Sequence, residues 1–297
     1  MSGSGLLAWC NGTFVPAETL AIPYYDLGVV AGAAVTEMAR TYSHRPFQLD
    51  RHVDRLVSSL QSLGFPCNYK TNEWIDAAVQ LVEHNAKSFL ANDELGIVLF
   101  STAGANPTYL GGPSELVTSA IHTFRLPFEL WRPSLTAGAK LSIPAMRQIC
   151  SESLPVQHKV RNRLHWWLAD RQAAQMEPGS RALLLNHQNM VTETSTSSFH
   201  AVIDGEIVTS GRDVLRSLSS QVAEELAASL GIPFHRRALS VSELKNASEA
   251  FLSSTPTGLI PVASINRAPV GNTCPGPIFQ SLHQAWSTQI GEAIPHE

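Results

Sequence analysis

Apolar residues in the first part of the chain follow strand-like and helix-like periods in turn. Residues 6–15 (LLAWCNGTFV) predict a hairpin that turns at Asn11-Gly12, because this dipeptide adopts the backbone of a two-residue hairpin turn. The run AAVTEMARTY (33–42) predicts a strand, and Asp50 is a suitable cap for the helix that follows it. On that helix, apolar side chains recur every three or four positions at Val53, Leu56, Val57, Leu60 and Leu63.

The same pattern continues up to the middle of the chain. Gly64 ends the first long helix, and a second helix is predicted over about 72–88. The apolar, branched run GIVLFST (96–102) predicts a buried strand, and the Gly- and Pro-rich segment 103–115 predicts a loop. The stretch ELWRPS (129–134) resembles a linker between two halves.

The second half repeats the alternation of strands and helices. It predicts strands at 140–144, 250–254 and 259–265, helices at about 160–176 and 219–230, and hairpins that turn at 187–189 and at Asp204-Gly205. Strands in meanders with helices packed on them make each half α+β. We therefore predict a mixed α/β protein of the α+β class, with a smaller N-terminal domain (1–128), a linker (129–135) and a C-terminal domain (136–297).

Composition excludes several classes of protein. The 297 residues carry a net charge of −4, so no broad basic field is present to bind nucleic acid or an anionic membrane. No apolar run approaches the roughly 20 residues of a membrane span, and we expect no signal peptide because a basic segment followed by a long apolar one is missing. Scattered cysteines and histidines predict a reduced, cytoplasmic protein with no metal site.

Lys159 has the most unusual setting of the five lysines. It follows an extended segment that contains proline and stands before a predicted helix that carries Trp166 and Trp167. Partial desolvation beside these rings would lower the pKa of the amine and favour the neutral nucleophile that forms a Schiff base. Taken alone, the position is more typical of a solvated lysine at the start of a helix.

Four other positions carry polar groups that are ordinary one by one. Glu193 lies on a strand before a run of hydroxyl residues, and Arg55 lies on a helix outside its apolar stripe. Residues 217–219 precede a helix whose first N–H groups suit an anion, and Ser254-Thr255 ends a strand. A phosphate needs an arginine, helix-terminal amides and hydroxyls, a pyridinium needs a carboxylate, and an aldehyde needs a lysine amine. The chain supplies a candidate for each.

Five segments in the same order resemble those of the class IV aminotransferase family, the fold-type IV pyridoxal-phosphate enzymes. This family includes branched-chain and D-amino acid aminotransferases, aminodeoxychorismate lyases and (R)-selective amine transaminases. The resemblance extends from NGTFVP (11–16) to LIPV (259–262). The matching segments are RPFQLDRHVDRL (45–56), HKVRNRLHWWL (158–168), MVTETSTSSF (190–199), VLRSLSSQVAEELA (214–227) and FLSSTPTGLIPV (251–262).

The resemblance implies a two-domain fold like that of D-amino acid aminotransferases, with pyridoxal 5'-phosphate between the domains. It implies that Lys159 forms the Schiff base with the cofactor and that Glu193 faces the pyridine nitrogen. The remaining cofactor contacts that it implies are Arg55, Leu215, Leu218, Ser219, Ser254 and Thr255. Because the family's site is completed by a neighbouring chain, the resemblance also implies a homodimer.

Several departures from the family pattern leave the substrate open. GAAVTE (32–37) places Thr36 where many members have an aromatic residue near the lysine. Ala103-Gly104 stands where the D-amino acid and lyase branches carry the Arg-Gly whose arginine traps a carboxylate in the D-amino acid branch. Ser217 and Ser220 replace the usual glycine and arginine before and within the helix. The substrate carboxylate would then meet backbone amides around Thr255, Pro256 and Thr257, or one of the arginines Arg147, Arg161 and Arg163.

We expect a pyridoxal-phosphate-dependent aminotransferase that moves an amino group between an amino acid, of the branched-chain or D type, and a 2-oxo acid. Two other activities stay open at this stage. Aminodeoxychorismate lyase is suggested by Lys159, Asn162, Arg163 and Leu164, and (R)-selective amine transamination is the second. A protein of this fold that only binds a ligand is a third reading.

Overall fold

The computed structural model describes residues 5–291, so the first four and the last six positions of the predicted domains lie outside the described residues. The described chain forms two compact units. The first contains residues up to 126 together with 158–162, and the second contains residues 127–157 and those from 163 onward. Every helix in residues 5–291 is too short or too polar to cross a lipid bilayer.

The first unit contains a six-stranded antiparallel sheet with the order β2-β1-β6-β5-β3-β4. Its strands are β1 (Leu7–Cys10), β2 (Thr13–Pro16), β3 (Ala34–Tyr42), β4 (Arg45–Phe47), β5 (Leu95–Thr102) and β6 (Ser119–Arg125). Its helices are α1 (Leu27–Val30), α2 (Leu49–Ser62), α3 (Thr71–Asn85) and α4 (Pro107–Leu110). Short 3-10 turns occur at Ala17–Thr19 and Ala86–Ser88.

The core of the first unit lies between its sheet and the helices α2 and α3. Val53, Leu56 and Leu60 are buried on α2, which confirms the apolar stripe that the periodicity predicted. The β1–β2 hairpin turns at Asn11-Gly12 as predicted, with Cys10 paired to Thr13. The segment 103–115 is mostly loop, but it contains the single turn of α4, where the Asn106 side chain caps the first turn.

Helix α2 begins earlier than expected. Its N-cap is Gln48, which has a left-handed backbone and makes no side-chain capping bond. Asp50, the predicted cap, instead lies inside the first turn, where its charge suits the positive end of the helix dipole. The reason is that Leu49 is buried in the core, which draws the first turn of the helix towards the sheet.

The second unit contains a sheet that closes on itself. Its strands are β7 (Ala139–Ser142), β8 (Arg181–Leu185), β9 (Val191–Thr194), β10 (Ser198–Ile203), β11 (Glu206–Thr209), β12 (Phe234–Arg236), β13 (Glu249–Ser254), β14 (Gly258–Ile265) and β15 (Ala268–Pro269). Its helices are α5 (Phe128–Ala137), α6 (Leu164–Met176), α7 (Leu218–Ser229) and α8 (Pro277–Ile290), with a 3-10 turn at Glu243–Asn246. The order is β12-β11-β10-β13-β14-β7-β8-β9, and β9 also pairs with β10.

Closure of this sheet gives the second unit its core. The ring β10-β13-β14-β7-β8-β9 encloses buried apolar side chains, among them Leu141, Leu183, Phe199, Leu252 and Ile260. Both predicted hairpins are present as antiparallel pairs, β8 with β9 and β10 with β11. The strands predicted at 140–144, 250–254 and 259–265 correspond to β7, β13 and β14.

Two expectations about the middle of the chain need correction. The stretch 129–135, predicted as a linker, lies within α5 and belongs to the second unit, where Leu135 is buried in the core. Helix α6 begins at Leu164, four residues after the predicted start at about 160, and its Trp167 is exposed. The segment 158–162 belongs to the first unit, where Val160 forms an antiparallel bridge with Val35.

We predict that Gly271→Ala strongly destabilises the second unit. Gly271 has φ +62°, and a Cβ atom there would lie 1.8 Å from the carbonyl oxygen of Ser248, which is rigid backbone. We expect a loss of about 3 kcal/mol or more in the free energy of unfolding, measured with urea. Gly231→Ala is the control, since Gly231 has φ +69° with nothing within 4 Å, and should cost about 1–2 kcal/mol. Equal losses for both variants would contradict the prediction.

Candidate active site

A buried carboxylate in the first unit binds two side chains of helix α2. Glu37 lies on β3 with no solvent exposure. Its Oε1 accepts a hydrogen bond from Nε of Arg55, and its Oε2 accepts one from Nη2, both at 2.7 Å. Nδ1 of His52 lies 2.9 Å from Oε2. Because positions three apart face the same side of a helix, α2 presents His52 and Arg55 together to this one carboxylate.

The charges of this group follow from its burial and from its partners. Burial would raise the pKa of Glu37, but the charge of Arg55 and hydrogen bonds from His52 and Arg55 outweigh it and lower the pKa to about 2. Burial lowers the pKa of His52, and the charges of Arg55 and Lys159 lower it further against the opposing effect of Glu37. At neutral pH we therefore assign an ionised Glu37, a charged Arg55 and a neutral His52 that donates its Nδ1–H.

Lys159 is fixed to the same unit by its neighbours in sequence. The ring nitrogens of His158 lie 3.1 Å from Oγ of Ser59 and 3.2 Å from Oγ of Ser62, which ties the segment to α2. The N–H of Thr36 donates to the carbonyl of Lys159 at 3.0 Å, which ties the segment to β3. The side-chain amide of Asn162 donates to the carbonyl of Ala31 at 3.1 Å. The first unit therefore brings together Lys159, Arg55 and Thr36.

Thr36 is buried on β3. Its hydroxyl donates to the carbonyl of Leu99 on the neighbouring strand β5 at 3.1 Å. This hydrogen bond to the sheet fixes the orientation of the side chain. The threonine also occupies much less space than an aromatic residue at the same position would.

In the second unit, Glu193 lies on β9 and is 8% exposed. Its Oε1 accepts hydrogen bonds from the N–H of Leu215 at 3.0 Å and from Nε2 of Gln148 at 3.2 Å. Glu193 pairs with Ser198 on β10, and Ser198 pairs with Ser253 on β13. Since paired residues lie on the same face of a sheet, the carboxylate lies in one row with the end of β13.

Helix α7 starts close to this carboxylate. Ser217 is its N-cap, and the Ser217 hydroxyl accepts a hydrogen bond from the N–H of Ser220 at 3.2 Å and lies 2.8 Å from the hydroxyl of Ser219. Leu218 and Ser219 are the first two residues of the helix, so their N–H groups have no partner within it. Leu215, which binds Glu193, stands two residues before the cap. A helix N terminus beside hydroxyl groups is suited to bind an anion.

The hairpin between β13 and β14 carries the remaining predicted residues. Ser254 is the last residue of β13, and Thr255, Pro256 and Thr257 form the turn before Gly258 opens β14. The hydroxyls of Ser254 and Thr257 lie 2.7 Å apart and are buried. The second unit thus brings together Glu193, the start of α7 and this turn, at the ends of neighbouring elements.

The three candidate arginines have different surroundings. Arg147 donates to Oδ1 of Asn189 at 2.8 Å. Arg163 donates to the carbonyl of Ser195, and burial lowers its pKa against the opposing charges of Glu193 and Asp170. Arg161 is exposed and acts electrostatically on His122 of the first unit, whose pKa is lowered first by burial and then by this charge.

Sequence reasoning missed three polar side chains that contact the predicted residues. Glu37 and His52 surround Arg55, and the spacing of His52 and Arg55 on one helix was a signal that could have found the pair. Gln148 contacts Glu193, but it lies 45 residues away in a segment without a periodic pattern. No feature of the sequence near Gln148 indicates this contact.

The fold defined by these two units is that of known branched-chain aminotransferases. The crystal structure of the Escherichia coli branched-chain amino acid aminotransferase matches with a TM-score of 0.88 and 22% identity, over 96% of this chain and 95% of that one. A putative branched-chain amino acid aminotransferase from Thermotoga maritima matches with a TM-score of 0.77 and 26% identity, over 96% and 95% of the chains. The chain therefore has the fold-type IV architecture that the sequence predicted.

The family model for amino-transferase class IV matches residues 34–265, so the chain belongs to this family and is an aminotransferase. Class IV aminotransferases depend on pyridoxal 5'-phosphate. A D-alanine aminotransferase from Staphylococcus epidermidis is 28% identical over 283 residues, which cover 94% of this chain and 96% of the relative. A probable branched-chain-amino-acid aminotransferase from Thermotoga maritima is 26% identical over 279 residues, covering 93% of each. The predicted family and reaction are confirmed.

We predict that Glu37→Gln destabilises the first unit, because it leaves the charge of Arg55, whose side chain is 15% exposed, without its carboxylate. The expected loss in the free energy of unfolding is about 3 kcal/mol. Glu243→Gln is the control, since Glu243 pairs with Arg237 at the surface and such pairs contribute less than about 1 kcal/mol.

The same variant should change the dependence of stability on pH. The pKa of Glu37 is lowered from 4.5 to about 2 in the folded protein, so its stabilising effect is complete above pH 4.5 and is lost as the pH falls toward 2. We expect the free energy of unfolding, measured by denaturant titration at several pH values in this range, to depend less steeply on pH for Glu37→Gln than for the wild type. Parallel slopes would show that Glu37 does not titrate in this way.

Proposed function

We propose that this protein uses pyridoxal 5'-phosphate to move an amino group between an amino acid of the D-alanine or branched-chain type and a 2-oxo acid. The substrate classes are those named for its relatives, D-alanine aminotransferases and a probable branched-chain-amino-acid aminotransferase. One observation carries the assignment of the cofactor residues. The buried carboxylate of Glu193 is bonded to the backbone N–H of Leu215, just before the N terminus of α7.

The groups of the second unit fit a phosphorylated pyridine. A buried carboxylate stabilises a protonated ring nitrogen, and we assign that role to Glu193. The amides of Leu218 and Ser219 and the hydroxyls of Ser219, Ser254 and Thr255 suit a phosphate, since a helix N terminus adds the positive end of its dipole. Leu215 supplies an apolar side chain for the face of the ring. The second unit therefore offers a carboxylate for the ring nitrogen and an anion site for the phosphate, which are the two ends of this cofactor.

Two residues of the first unit complete the proposed set. Arg55 would bind the phosphate, and its two bonds to Glu37 hold the guanidinium in a fixed plane. Lys159 would hold the cofactor covalently through its Nζ atom. When bound, the cofactor supplies an aldehyde and an electron-withdrawing ring. Once the amino donor displaces it, Lys159 Nζ would take the proton from the substrate Cα and then donate it to the cofactor.

The proposed substrate contacts are Thr36, Pro256 and Thr257. Thr36 is small and fixed to β5, which would leave room for a substrate side chain that an aromatic residue at this position would fill. The turn at Thr255–Thr257 would offer backbone N–H groups to the substrate carboxylate in place of the arginine that Ala103-Gly104 lacks. Arg161 is the arginine we favour as an additional partner, because it lies in the same segment of the first unit as Lys159.

We predict that Lys159→Ala abolishes covalent attachment of pyridoxal 5'-phosphate, since no amine remains to bond the aldehyde. Mass spectrometry after borohydride reduction should show the added mass on the wild type and on Lys140→Ala. Lys140 is the control because it lies at the surface beside Glu177. Attached cofactor in Lys159→Ala would contradict the lysine assignment.

The absorption spectrum of the wild-type holoenzyme can be used to identify its amino donors. An accepted amino donor should bleach the absorption of the bound cofactor, and a 2-oxo acid should restore it. D-alanine, L-leucine and (R)-1-phenylethylamine, tested separately, distinguish the proposed substrate classes from amine transamination. If only (R)-1-phenylethylamine bleached the band, the proposed substrate class would be wrong.

We also propose that the protein is a cytoplasmic homodimer. Its scattered cysteines suit a reducing compartment. Large apolar side chains are exposed on α6, namely Leu164, Trp167 and Leu168, and a second copy would cover such side chains favourably.

We predict a molar mass of twice the 32.2 kDa of one chain, measured by light scattering of the holoenzyme at micromolar concentration. Apolar burial between two copies provides the free energy of association. A mass that stays at that of a single chain over the accessible concentrations would contradict the homodimer.

A further inference from the structure

Gln148 is buried beside β8, the neighbour of the strand that carries Glu193, the carboxylate proposed to face the ring nitrogen. Its own backbone N–H donates to the carbonyl of Leu185 on β8 at 3.0 Å, and Arg147 bridges Leu185 in parallel. The residue is 1% exposed. Since β8 pairs with β9, this anchoring places Gln148 next to the strand of Glu193.

The orientation of the Gln148 amide follows from its two partners on the oxygen side. Oε1 accepts the backbone N–H of Ile149 at 2.9 Å and lies 3.1 Å from Nε2 of His165. An amide that accepts on one side must donate on the other, so its Nε2–H group faces Oε1 of Glu193 at 3.2 Å. The direction of this hydrogen bond is therefore fixed from both ends.

His165 supports the same orientation. Burial and the charge of Arg163 lower the pKa of His165 to about 4, so the ring is neutral at neutral pH and has one N–H. Its Nδ1 is buried and has no hydrogen-bond partner among residues 5–291. A buried N–H without a partner is costly, so the proton belongs on Nε2, where it donates to Gln148.

From this geometry we infer that Gln148 is a positioning residue for Glu193. Together with the N–H of Leu215, its amide binds Oε1 of the carboxylate and so presents Oε2 to the nitrogen of the cofactor ring. The inference rests on the proposed function, in which Glu193 faces that nitrogen. A neutral amide fixes the carboxylate by hydrogen bonding without adding a second positive charge to that of Arg163, whereas a cationic partner at this position would reduce the negative charge further.

The charges around Glu193 have to be taken into account in any titration. Arg163 acts electrostatically on both Glu193 and His165, and Asp170 acts on Arg163. Arg163, His165 and Asp170 are unchanged in all the variants below, so these side chains are common to every measurement.

The test compares Gln148→Leu with the matched control Gln172→Leu. The Gln172 side chain accepts the N–H of Met146 at 3.2 Å, so it also supports this segment of the chain, through a residue two positions before Gln148. Each variant is reconstituted with pyridoxal 5'-phosphate labelled with ¹⁵N in the ring. The dissociation constant of the cofactor and the ¹⁵N chemical shift as a function of pH are both measured.

For Gln148→Leu we expect cofactor binding to weaken roughly tenfold or more, because Glu193 loses a hydrogen bond that holds its carboxylate towards the ring nitrogen. The ring nitrogen should also lose its proton at a lower pH, because a carboxylate that is no longer held in place stabilises the protonated nitrogen less. Gln172→Leu should match the wild type in both measurements. If both variants shift the ¹⁵N signal equally, Gln148 has only a structural role and the inference is overturned.

Glu193→Gln separates this inference from the function on which it rests. If Glu193→Gln leaves the ¹⁵N signal unchanged, the assignment of Glu193 to the ring nitrogen fails. If it shifts the signal while Gln148→Leu does not, only the role of Gln148 fails. In the double variant, the loss of Gln148 should add less than twofold to the effect of Glu193→Gln, because a positioning residue acts through its partner.

Discussion

The second unit depends on one strand pairing, between Ser198 of β10 and Glu193 of β9, which closes its sheet into a ring. Closure removes the free edges of both strands and encloses the apolar core. It also places an acidic side chain in one row with Ser253. Helix α7 contacts β13, so the backbone before this helix reaches the carboxylate through Leu215. The pairing that completes the core thereby also places the carboxylate.

In the first unit, the strand β3 has a comparable role. Three consecutive residues of this strand hold neighbouring segments, two of them through the backbone and one through its side chain. Val35 bridges the segment that carries Lys159, Thr36 bonds to the same segment through its N–H, and Glu37 binds Arg55 on the face covered by α2. The lysine segment and the arginine are therefore both held by one strand of the sheet rather than by separate loops.

How far the sequence predicts this structure depends on how local each feature is. The stripe of Val53, Leu56 and Leu60 and the turn at Asn11-Gly12 follow from periods and turn preferences within a few residues, and the structure has them as predicted. Helix α5 was missed because its only buried residue is Leu135, which leaves hardly any periodic signal. The ordering of the Lys159 segment by β3, and the contact of Gln148 with Glu193, depend on tertiary packing across long separations, which no local pattern records.

The two buried carboxylates show how similar groups are prepared for different tasks. Glu37 accepts two hydrogen bonds from the guanidinium of Arg55 and one from a histidine N–H, so its negative charge is balanced inside the protein. The two bonds also fix the orientation of Arg55. Glu193 receives neutral donors on one oxygen, from Leu215 and Gln148, and these orient the carboxylate without adding to the positive charge of Arg163 that acts on it. A carboxylate whose charge is already balanced is suited to hold another residue in place. A carboxylate that is oriented but keeps its charge is suited to stabilise a cation supplied from outside the chain, such as a protonated ring nitrogen.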